Sequence, residues 1–178
     1  MEEKVILVDE NDQPIGLMEK LEAHQKGLLH RAFSVFIINS KGEILLQQRA
    51  LNKYHSPGLW TNTCCSHQRQ GEDNLQAGKR RLWEEMGMQV PLKQLFSFIY
   101  EAPMGNGLTE HEYDYVLIGF SDESPSINPL EVCNWKWATP EQIQKSIAET
   151  PEEYTAWFKI IFDKFYQADT ARSVQGNG

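Results

Sequence analysis

The segment that begins at Asp73 and ends at Gly87 constrains the fold more than any other part of this sequence. Apolar and small residues recur in it at steps of three and four, at Leu75, Gly78, Leu82 and Met86. This spacing predicts an amphipathic α-helix. Asp73 is a favourable N-cap, and Gly87 stands where a helix of this length ends. The fold class then depends on what the flanking segments supply to cover the apolar stripe of this helix.

Short β-strands are predicted on both sides of the helix. Runs rich in β-branched and aromatic residues, bounded by turn residues, predict strands at Lys4–Val8, Ala32–Ile38, Glu43–Arg49, Trp60–Thr63, Gln94–Glu101, His111–Phe120 and Asn134–Ala138. Turns are predicted at Asp9–Gly16, Asn39–Gly42, Pro57-Gly58 and Gly105–Gly107. Helical spacing at Met18–Lys26 ends before Gly27, and capping boxes at Thr139–Gln142 and Thr150–Glu153 predict two closing helices. The fold class is therefore α/β (α+β), with helices outside a mixed sheet.

Length and composition set further limits. At 178 residues with 40% hydrophobic content the chain fits one domain, assigned to residues 1–167, and residues 168–178 have no apolar period and are predicted to be a disordered tail. No apolar run approaches the roughly eighteen residues of a membrane helix, and the first ten residues resemble no targeting segment. The odd number of cysteines, Cys64, Cys65 and Cys133, favours a reducing compartment, so a cytoplasmic protein is expected.

The net charge limits the partners. The formal charge is -8, with 25 acidic and 17 basic residues, which argues against nucleic-acid binding because phosphate backbones are held by basic surfaces. A small phosphorylated ligand remains compatible, since it requires only a few converging cations. No membrane partner is predicted, and a monomer is favoured.

Three histidines and two glutamates are candidate metal ligands: His24, His30, His67, Glu110 and Glu112. Imidazole nitrogens with carboxylate oxygens suit Mn²⁺, Mg²⁺ or Zn²⁺. In a strand that contains Glu110, His111 and Glu112, the two carboxylates share one face. The alternatives are ordinary: single histidines are more often surface or core residues, and an acidic strand edge can simply prevent strand pairing.

Two other runs carry reactive or charged groups. Cys64 and Cys65 precede His67, and a cysteine beside a bound cation tends toward the thiolate, although a buried cysteine is more often a small apolar residue. Arg81 and Glu85 lie one helical turn apart, so they form either an exposed ion pair or part of a ligand site.

The helix and the residues before it resemble the Nudix superfamily, whose box is G-x5-E-x7-R-E-U-x-E-E-x-G-U with U a bulky aliphatic residue. The residues that match at this spacing are Glu72, Arg80, Leu82, Glu84, Glu85, Gly87 and Met88. Ser66 replaces the first glycine, and Arg81 replaces a glutamate that binds metal in the hydrolases. An arginine cannot hold the metal that activates water, but it can hold a diphosphate as a bidentate cation.

A closer resemblance covers about residues 4–165, to the type I isopentenyl diphosphate isomerases. The matching segments are Leu17–Lys20, Leu29–Ser34, Gln48–Ala50, Pro57–His67, Glu110–Glu112 and Trp157. Gln68 and Ala156 stand where many relatives have proline. The resemblance implies a small allylic or homoallylic diphosphate as substrate, a divalent metal held by His24, His30, His67, Glu110 and Glu112, and a Mg²⁺ associated with the diphosphate and assisted by Glu85.

The same resemblance implies roles for the remaining site residues. It places Cys65 and Glu112 as the acid–base pair on opposite faces of the substrate, with Tyr100 beside Glu112. It places Trp157 over the reacting carbons. The diphosphate would be held by Lys20, Arg49, Lys53 and Arg81. The competing interpretations are a Nudix hydrolase of a small diphosphate, which the Arg81 replacement disfavours, and a degenerate Nudix domain that only binds ligands, which the retained metal-ligand set disfavours.

Overall fold

The protein is built around a mixed β-sheet with helices on both faces. The computed structural model describes residues 3–176, and the side chains of residues 3–167. The strands within these residues are β1 (Lys4–Val8), β2 (Pro14–Glu19), β3 (His30–Ile38), β4 (Ile44–Arg49), β5 (Trp60–Thr61), β6 (Cys64–Ser66), β7 (Lys93–Gly105), β8 (Leu108–Phe120) and β9 (Val132–Ala138). The helices are α1 (Lys20–Lys26), α2 (Asn74–Met86), α3 (Pro140–Glu149) and α4 (Ala156–Gly176). This architecture confirms the predicted fold class.

Strand β3 is the central strand of the sheet. It runs parallel to β8 in a register that begins at His30 opposite Glu112, and it is antiparallel to β6 and β1. Strand β8 also pairs with β7, β1 pairs with β2, and β4 pairs with β9 and β5. Because the register of β3 and β8 is fixed over nine residue pairs, side chains more than eighty positions apart meet at one end of the sheet.

Alternating side chains of the sheet form two cores. Phe33, Val35 and Ile37 pack with Leu82 and Met86 of α2. On the opposite face, Phe36, Ile44 and Leu46 pack with residues of α3 and α4, among them Ile143, Phe158 and Ile161. The sheet therefore lies between α2 and the pair α3–α4, and its period of two assigns each strand residue to one of the two cores.

Helix α2 begins and ends as the sequence predicts. The Asp73 carboxylate accepts a hydrogen bond from the Gln76 backbone N–H at 2.8 Å, and the Gln76 side chain accepts one from the Asp73 N–H at 3.0 Å. Gly87 ends the helix with φ +62°, and a Cβ there would lie 2.4 Å from the carbonyl oxygen of Ser126. Leu75 stays 36% exposed, so the buried stripe begins at Ala77.

Two predicted helix starts are wrong. Met18 and Glu19 belong to β2, because their backbone pairs with Val5 and Lys4 of β1. The second capping box starts a short 3₁₀ turn, Pro151–Glu153, and α4 begins only at Ala156. The Thr150 hydroxyl donates to the carbonyl of Ser146 at 3.0 Å, which closes α3 instead of opening the next helix.

The strand predicted at Trp60–Thr63 is interrupted. Strand β5 ends at Thr61, and the Thr63 hydroxyl donates to the carbonyl of Leu45 at 2.7 Å and accepts the N–H of Ile37 at 2.9 Å. This side chain takes bonds that a neighbouring strand would otherwise make, so the chain turns before β6 begins at Cys64.

Helix α4 continues to Gly176, but the side chains of residues 168–178 lie outside the described part of the structure. The disordered tail and the single domain of residues 1–167 therefore stay predictions. In residues 3–176, every helix is too short or too polar to cross a lipid bilayer.

Candidate active site

A polar pocket of about 130 Å³ lies at the end of the sheet where β6 and β8 meet α1, α2 and α4. All of the site residues predicted from the sequence line it except His30 and Tyr100. These two lie behind the pocket wall, each within hydrogen-bonding distance of Glu112. The structure thus brings together side chains from both halves of the chain.

The candidate metal ligands lie close together and buried, and are named here the His/Glu cluster: His24, His30, His67, Glu110 and Glu112. Four of them share the spacing of a single ion's ligands, whereas Glu110 has that spacing with His24 and His55. Helix α1 supplies His24, β3 begins with His30, His67 follows β6, and β8 presents the two glutamates from alternate positions. Each of the five residues is at most 8% exposed. The two carboxylates share a face as predicted, while the side chain of His111 bonds to the carbonyl of Gly27 outside the pocket.

Distances within the His/Glu cluster are short. The Oε2 atom of Glu112 lies 3.1 Å from Nε2 of His30 and 2.9 Å from Nε2 of His67. Nε2 of His24 lies 3.3 Å from Oε1 of Glu110. One potential ligand atom from each of His24, His30, His67 and Glu112 lies within 4.8 Å of the others, which is the spacing that a single coordinated ion requires.

The unpaired ring atoms of the cluster fit a divalent cation. Nδ1 of His30 lies 2.8 Å from the carbonyl of Leu28, so it carries a proton, and Nε2 of the same ring faces Glu112. Nε2 of His24 and Nδ1 of His67 are buried without a hydrogen-bond partner among the described residues; the contact of His24 with Glu110 lacks hydrogen-bond geometry. A set of imidazole and carboxylate donors of this kind suits Mn²⁺, Zn²⁺ or Mg²⁺.

Ionisation in the cluster follows from burial and from the carboxylates. Burial acts against both charged forms, but the hydrogen bond between the two residues raises the pKa of His30 and lowers the pKa of Glu112. Burial and the neighbouring His30 lower the pKa of His67, so that its imidazole is neutral. Burial beside the two glutamates raises the pKa of Tyr100, whose protonated hydroxyl lies against Glu112 and 2.9 Å from Glu110.

The two adjacent cysteines face opposite sides of the sheet. Cys64 is fully buried in the core beneath α2, whereas Cys65 lines the pocket. The thiol of Cys65 donates to Oδ1 of Asn62 at 2.9 Å and lies 3.5 Å from the Ser34 hydroxyl. Burial, and then the charge of Asp114, raise the pKa of Cys65. These surroundings favour the neutral thiol, whereas the thiolate expected from the sequence depends on a cation bound beside it.

The four predicted diphosphate cations also line the pocket, and three of them are ion-paired. Lys20 pairs with Glu3 at 2.9 Å, and Lys53 pairs with Glu131. Arg81 contacts Glu84 at 3.0 Å, Glu85 at 3.1 Å and Glu131 at 3.4 Å. The Arg81–Glu85 pair thus exists at the spacing of one helical turn, but it is largely buried rather than exposed, and it faces the pocket.

Arg49 is held differently from the other cations. Its guanidinium donates to the carbonyls of His55 and Ser56, both at 3.2 Å, and lies over the Trp157 ring at 5.1 Å from its centroid. His55 contacts the same ring edge-on, at 5.5 Å between centroids. Burial, and then Arg49, lower the pKa of His55 to about 3.

Other residues of the Nudix-like box hold the polypeptide around the pocket. Arg80 pairs with Glu72 at 2.7 Å and donates to the carbonyl of His67 at 3.2 Å. This hydrogen bond holds the backbone of His67 against α2. Glu85 is buried, accepts from Gln47 at 3.2 Å, and has a raised pKa because of burial, which Arg81 opposes.

Several residues in or beside the pocket were not predicted from the sequence to belong to the site: Tyr54, His55, Asn62, Asp114 and Glu131. Asn62 lies inside a matching segment, and Asp114 continues the alternation of Glu110 and Glu112, so both carried a usable signal. Tyr54 and His55 directly follow Lys53. Glu131 carried no signal, because its position between Lys53 and Arg81 arises only from the fold.

The chain is similar to known proteins over most of its length. The NUDIX domain family matches residues 28–158. An isopentenyl-diphosphate Delta-isomerase of Pectobacterium atrosepticum is 52% identical over 159 residues, which cover 89% of each chain. Isopentenyl-diphosphate Delta-isomerase 2 of Aromatoleum aromaticum is 46% identical over 178 residues, 100% of this chain and 93% of the relative.

Solved structures share the fold at lower identity. A protein of Deinococcus radiodurans has a TM-score of 0.76 at 23% identity and covers 91% of this chain and 98% of its own. A MutT protein of Methanosarcina mazei has a TM-score of 0.65 at 20% identity and covers 79% of this chain and 95% of its own. At these identities the likeness concerns the fold alone.

Proposed function

Because the chain belongs to the Nudix family and, within it, to the isopentenyl-diphosphate Delta-isomerases, we propose that its pocket interconverts isopentenyl diphosphate and dimethylallyl diphosphate. The observation that carries this proposal is the presence of the Cys65 thiol and the Glu112 carboxyl in one pocket that four cations also line. The pocket thus contains proton-transfer groups for the hydrocarbon part of the substrate and positive charges for its diphosphate.

The reaction adds a proton to the terminal alkene carbon and removes one from the carbon nearer the diphosphate. Glu112, bonded to Tyr100, is the acid toward the terminal carbon, and Cys65 is the base on the other side. In the reverse direction the roles exchange, so the neutral thiol donates and the carboxylate accepts. Each positioned acid or base is worth about 10²- to 10⁴-fold in rate.

His24, His30, His67, Glu110 and Glu112 would hold a divalent cation, Mn²⁺, Mg²⁺ or Zn²⁺, and Glu85 would assist a diphosphate-bound Mg²⁺. A cation bound in the cluster would compensate the two carboxylates and increase the acidity of a carboxyl group that it coordinates. The histidines are suited to this task because burial and their backbone or side-chain bonds fix their rings.

The remaining proposed roles belong to Trp157 and to the four cations of the pocket. The Trp157 face would stabilise the positive charge that develops on the protonated alkene, an interaction worth about 0.5 to 2 kcal/mol. Lys20, Arg49, Lys53 and Arg81 would bind the diphosphate oxygens. Arg81 stands at the box position where hydrolases carry a glutamate, so the pocket holds the diphosphate without the carboxylate that hydrolysis requires at that position.

One assay separates this function from hydrolysis. The protein is supplied with Mn²⁺ and Mg²⁺, isopentenyl diphosphate is added, and ¹H and ³¹P NMR follow dimethylallyl diphosphate and released phosphate together. We expect the double bond to move while the diphosphate remains intact. Release of phosphate without dimethylallyl diphosphate would instead identify a hydrolase.

Three further proposals concern the domain organisation, the oligomeric state and the location of the protein. We propose that residues 1–167 fold as a single domain, that the protein is a monomer and that it works in the cytoplasm. The three free cysteines support a reducing compartment. Size-exclusion chromatography with light scattering tests the monomer directly.

A further inference from the structure

Tyr54 reaches the metal side of the pocket from the loop between β4 and β5. Its hydroxyl lies 3.2 Å from Nδ1 of His24. The other ring nitrogen of His24, Nε2, faces Oε1 of Glu110 at 3.3 Å and has no hydrogen-bond partner among the described residues. The imidazole of His24 is therefore placed between a phenol on one side and the His/Glu cluster on the other.

This arrangement has a consequence for the tautomer of His24. A ring that offers the Nε2 lone pair to a cation carries its proton on Nδ1, and that N–H then donates to the oxygen of Tyr54. His30 is arranged in the same way, with Nδ1 against the carbonyl of Leu28 at 2.8 Å. Histidines that bind metals usually donate their second ring nitrogen to an oxygen acceptor, which fixes both tautomer and orientation.

We propose that Tyr54 is a positioning residue that fixes the tautomer and ring orientation of His24 for a divalent cation in the His/Glu cluster. The inference rests on the metal site assigned under the proposed function, and it adds a residue that no motif marked. Tyr54 acts through His24.

The loop that carries Tyr54 is held firmly enough for this role. Arg49 donates to the carbonyls of the next two residues, His55 and Ser56, both at 3.2 Å, and Ser56 has the left-handed backbone conformation, with φ 50°. The Tyr54 ring packs edge-on against His55 at 4.7 Å and beneath the ammonium of Lys20 at 5.7 Å. The phenol is thus oriented although the residue is 45% exposed.

The test compares two substitutions at this position. Tyr54→Phe removes only the hydroxyl, and Tyr54→Leu removes the hydroxyl and the ring. Tyr115→Phe is the matched control, because it also removes a tyrosine hydroxyl that bonds to a side chain, that of Asp12, away from the pocket. Mn²⁺ affinity is measured by EPR titration of the free ion, without substrate.

We expect both substitutions at Tyr54 to raise the Kd for Mn²⁺ by roughly 10- to 100-fold and by similar factors, with no change in Tyr115→Phe. ¹⁵N NMR of the histidine rings, assigned with His24→Gln, should show the Nδ1–H tautomer of His24 in the wild type and its partial loss in Tyr54→Phe. A role in loop packing alone would leave that signature unchanged.

The inference is overturned if Tyr54→Phe binds Mn²⁺ like the wild type and only Tyr54→Leu is impaired, since the ring would then matter and the hydroxyl would not. Wild-type protein that fails to bind Mn²⁺ would overturn it together with the metal site. Neither measurement involves isomerisation. A protein that binds Mn²⁺ as expected but leaves isopentenyl diphosphate unchanged would therefore contradict the proposed function alone.

Discussion

The two walls of the pocket differ in how deeply their side chains are buried and in what holds them in place. The strand wall consists of Cys65, His67, Glu110 and Glu112, and the cation wall consists of Lys20, Arg49, Lys53 and Arg81. The side chains of Glu110, Glu112 and His67 are 6 to 9% exposed, whereas those of Arg81, Lys53 and Lys20 are 16%, 24% and 29% exposed. The strand wall is buried and fixed by sheet register, and the cation wall is partly solvated.

The strand wall and the cation wall also differ in the partners to which their side chains bond. In the strand wall, Glu112 bonds to His30 and His67, so the functional groups hold one another. In the cation wall, Lys20 and Lys53 are paired with Glu3 and Glu131, outside the set that would touch substrate. Partly solvated pairs are worth about 0 to 1 kcal/mol each, so exchanging a carboxylate for a diphosphate oxygen costs little. Changes in the strand wall should therefore have much larger effects than changes in the cation wall.

The largest effect is expected from Cys65→Ala. Removing the thiol should lower kcat by about 10²- to 10⁴-fold, because one of the two proton-transfer groups is lost. Binding of Mn²⁺ and of the substrate diphosphate should stay near wild type. Cys64→Ala is the matched control on the opposite face, and it should affect only the free energy of unfolding. Wild-type turnover in Cys65→Ala would show that the proposed acid–base pair is wrong.

His67→Ala tests whether the buried histidines of the strand wall act on a metal. We expect Mn²⁺ affinity to fall by more than the roughly 10- to 100-fold loss assigned to an outer partner such as Tyr54, because a direct ligand is removed. Elemental analysis after gel filtration measures the occupancy. His111→Ala removes a histidine at the same end of the sheet, in β8, that lies outside the pocket, and it should leave occupancy unchanged. Equal occupancy in all three proteins would refute the site.

Trp157 lies where the two walls meet, in contact with Arg49 and His55. Trp157→Phe should retain measurable turnover, and Trp157→Ala should lose about tenfold more, because an aromatic face is worth up to about 2 kcal/mol to a developing cation. Thermal unfolding must be followed in parallel, since the alanine also opens a cavity in a core of several large side chains. Similar kcat values for both folded variants would argue against a cation–π role.

The smallest effect is expected for the cation wall. Lys53→Gln should raise KM about fivefold, equivalent to about 1 kcal/mol, and leave kcat nearly unchanged. The effect should shrink at high salt, because a partly solvated charge is screened. Lys145→Gln, which removes an exposed lysine paired with Glu149, is the control. A Lys53 variant with a kcat loss like that of Cys65→Ala would abolish the distinction between the walls.

The strand wall was also the more predictable from the sequence. Period-two alternation placed Glu110 and Glu112 on one face, and the structure confirms this arrangement; in strand β6 the same alternation turns Cys64 and Cys65 to opposite faces. The capping residues Asp73 and Gly87 bounded α2 correctly. Such features depend on local geometry, which a sequence encodes within a few residues.

The remaining features depend on contacts through space. Nothing local to Glu131 shows that it will lie between Lys53 and Arg81, and nothing local to Tyr54 shows that it will reach His24. The raised pKa of Cys65 has the same origin, because it results from burial and from Asp114, which is 49 positions away in the sequence. The roles of the site residues stay predictions until the variants above are measured.

The opposite orientation of Cys64 and Cys65 also determines how the site responds to oxidants. Neighbouring cysteines are often pictured as a ready redox pair, but here one sulfur is enclosed in the core beneath α2 and the other faces the pocket. Cys133, the third thiol, bonds to the carbonyl of Arg49 and is absent from the pocket lining. A sulfenic acid formed at Cys65 would therefore lack a resolving thiol within the protein. Its recovery would depend on small thiols that can enter the pocket, and bound substrate would protect it by blocking that route.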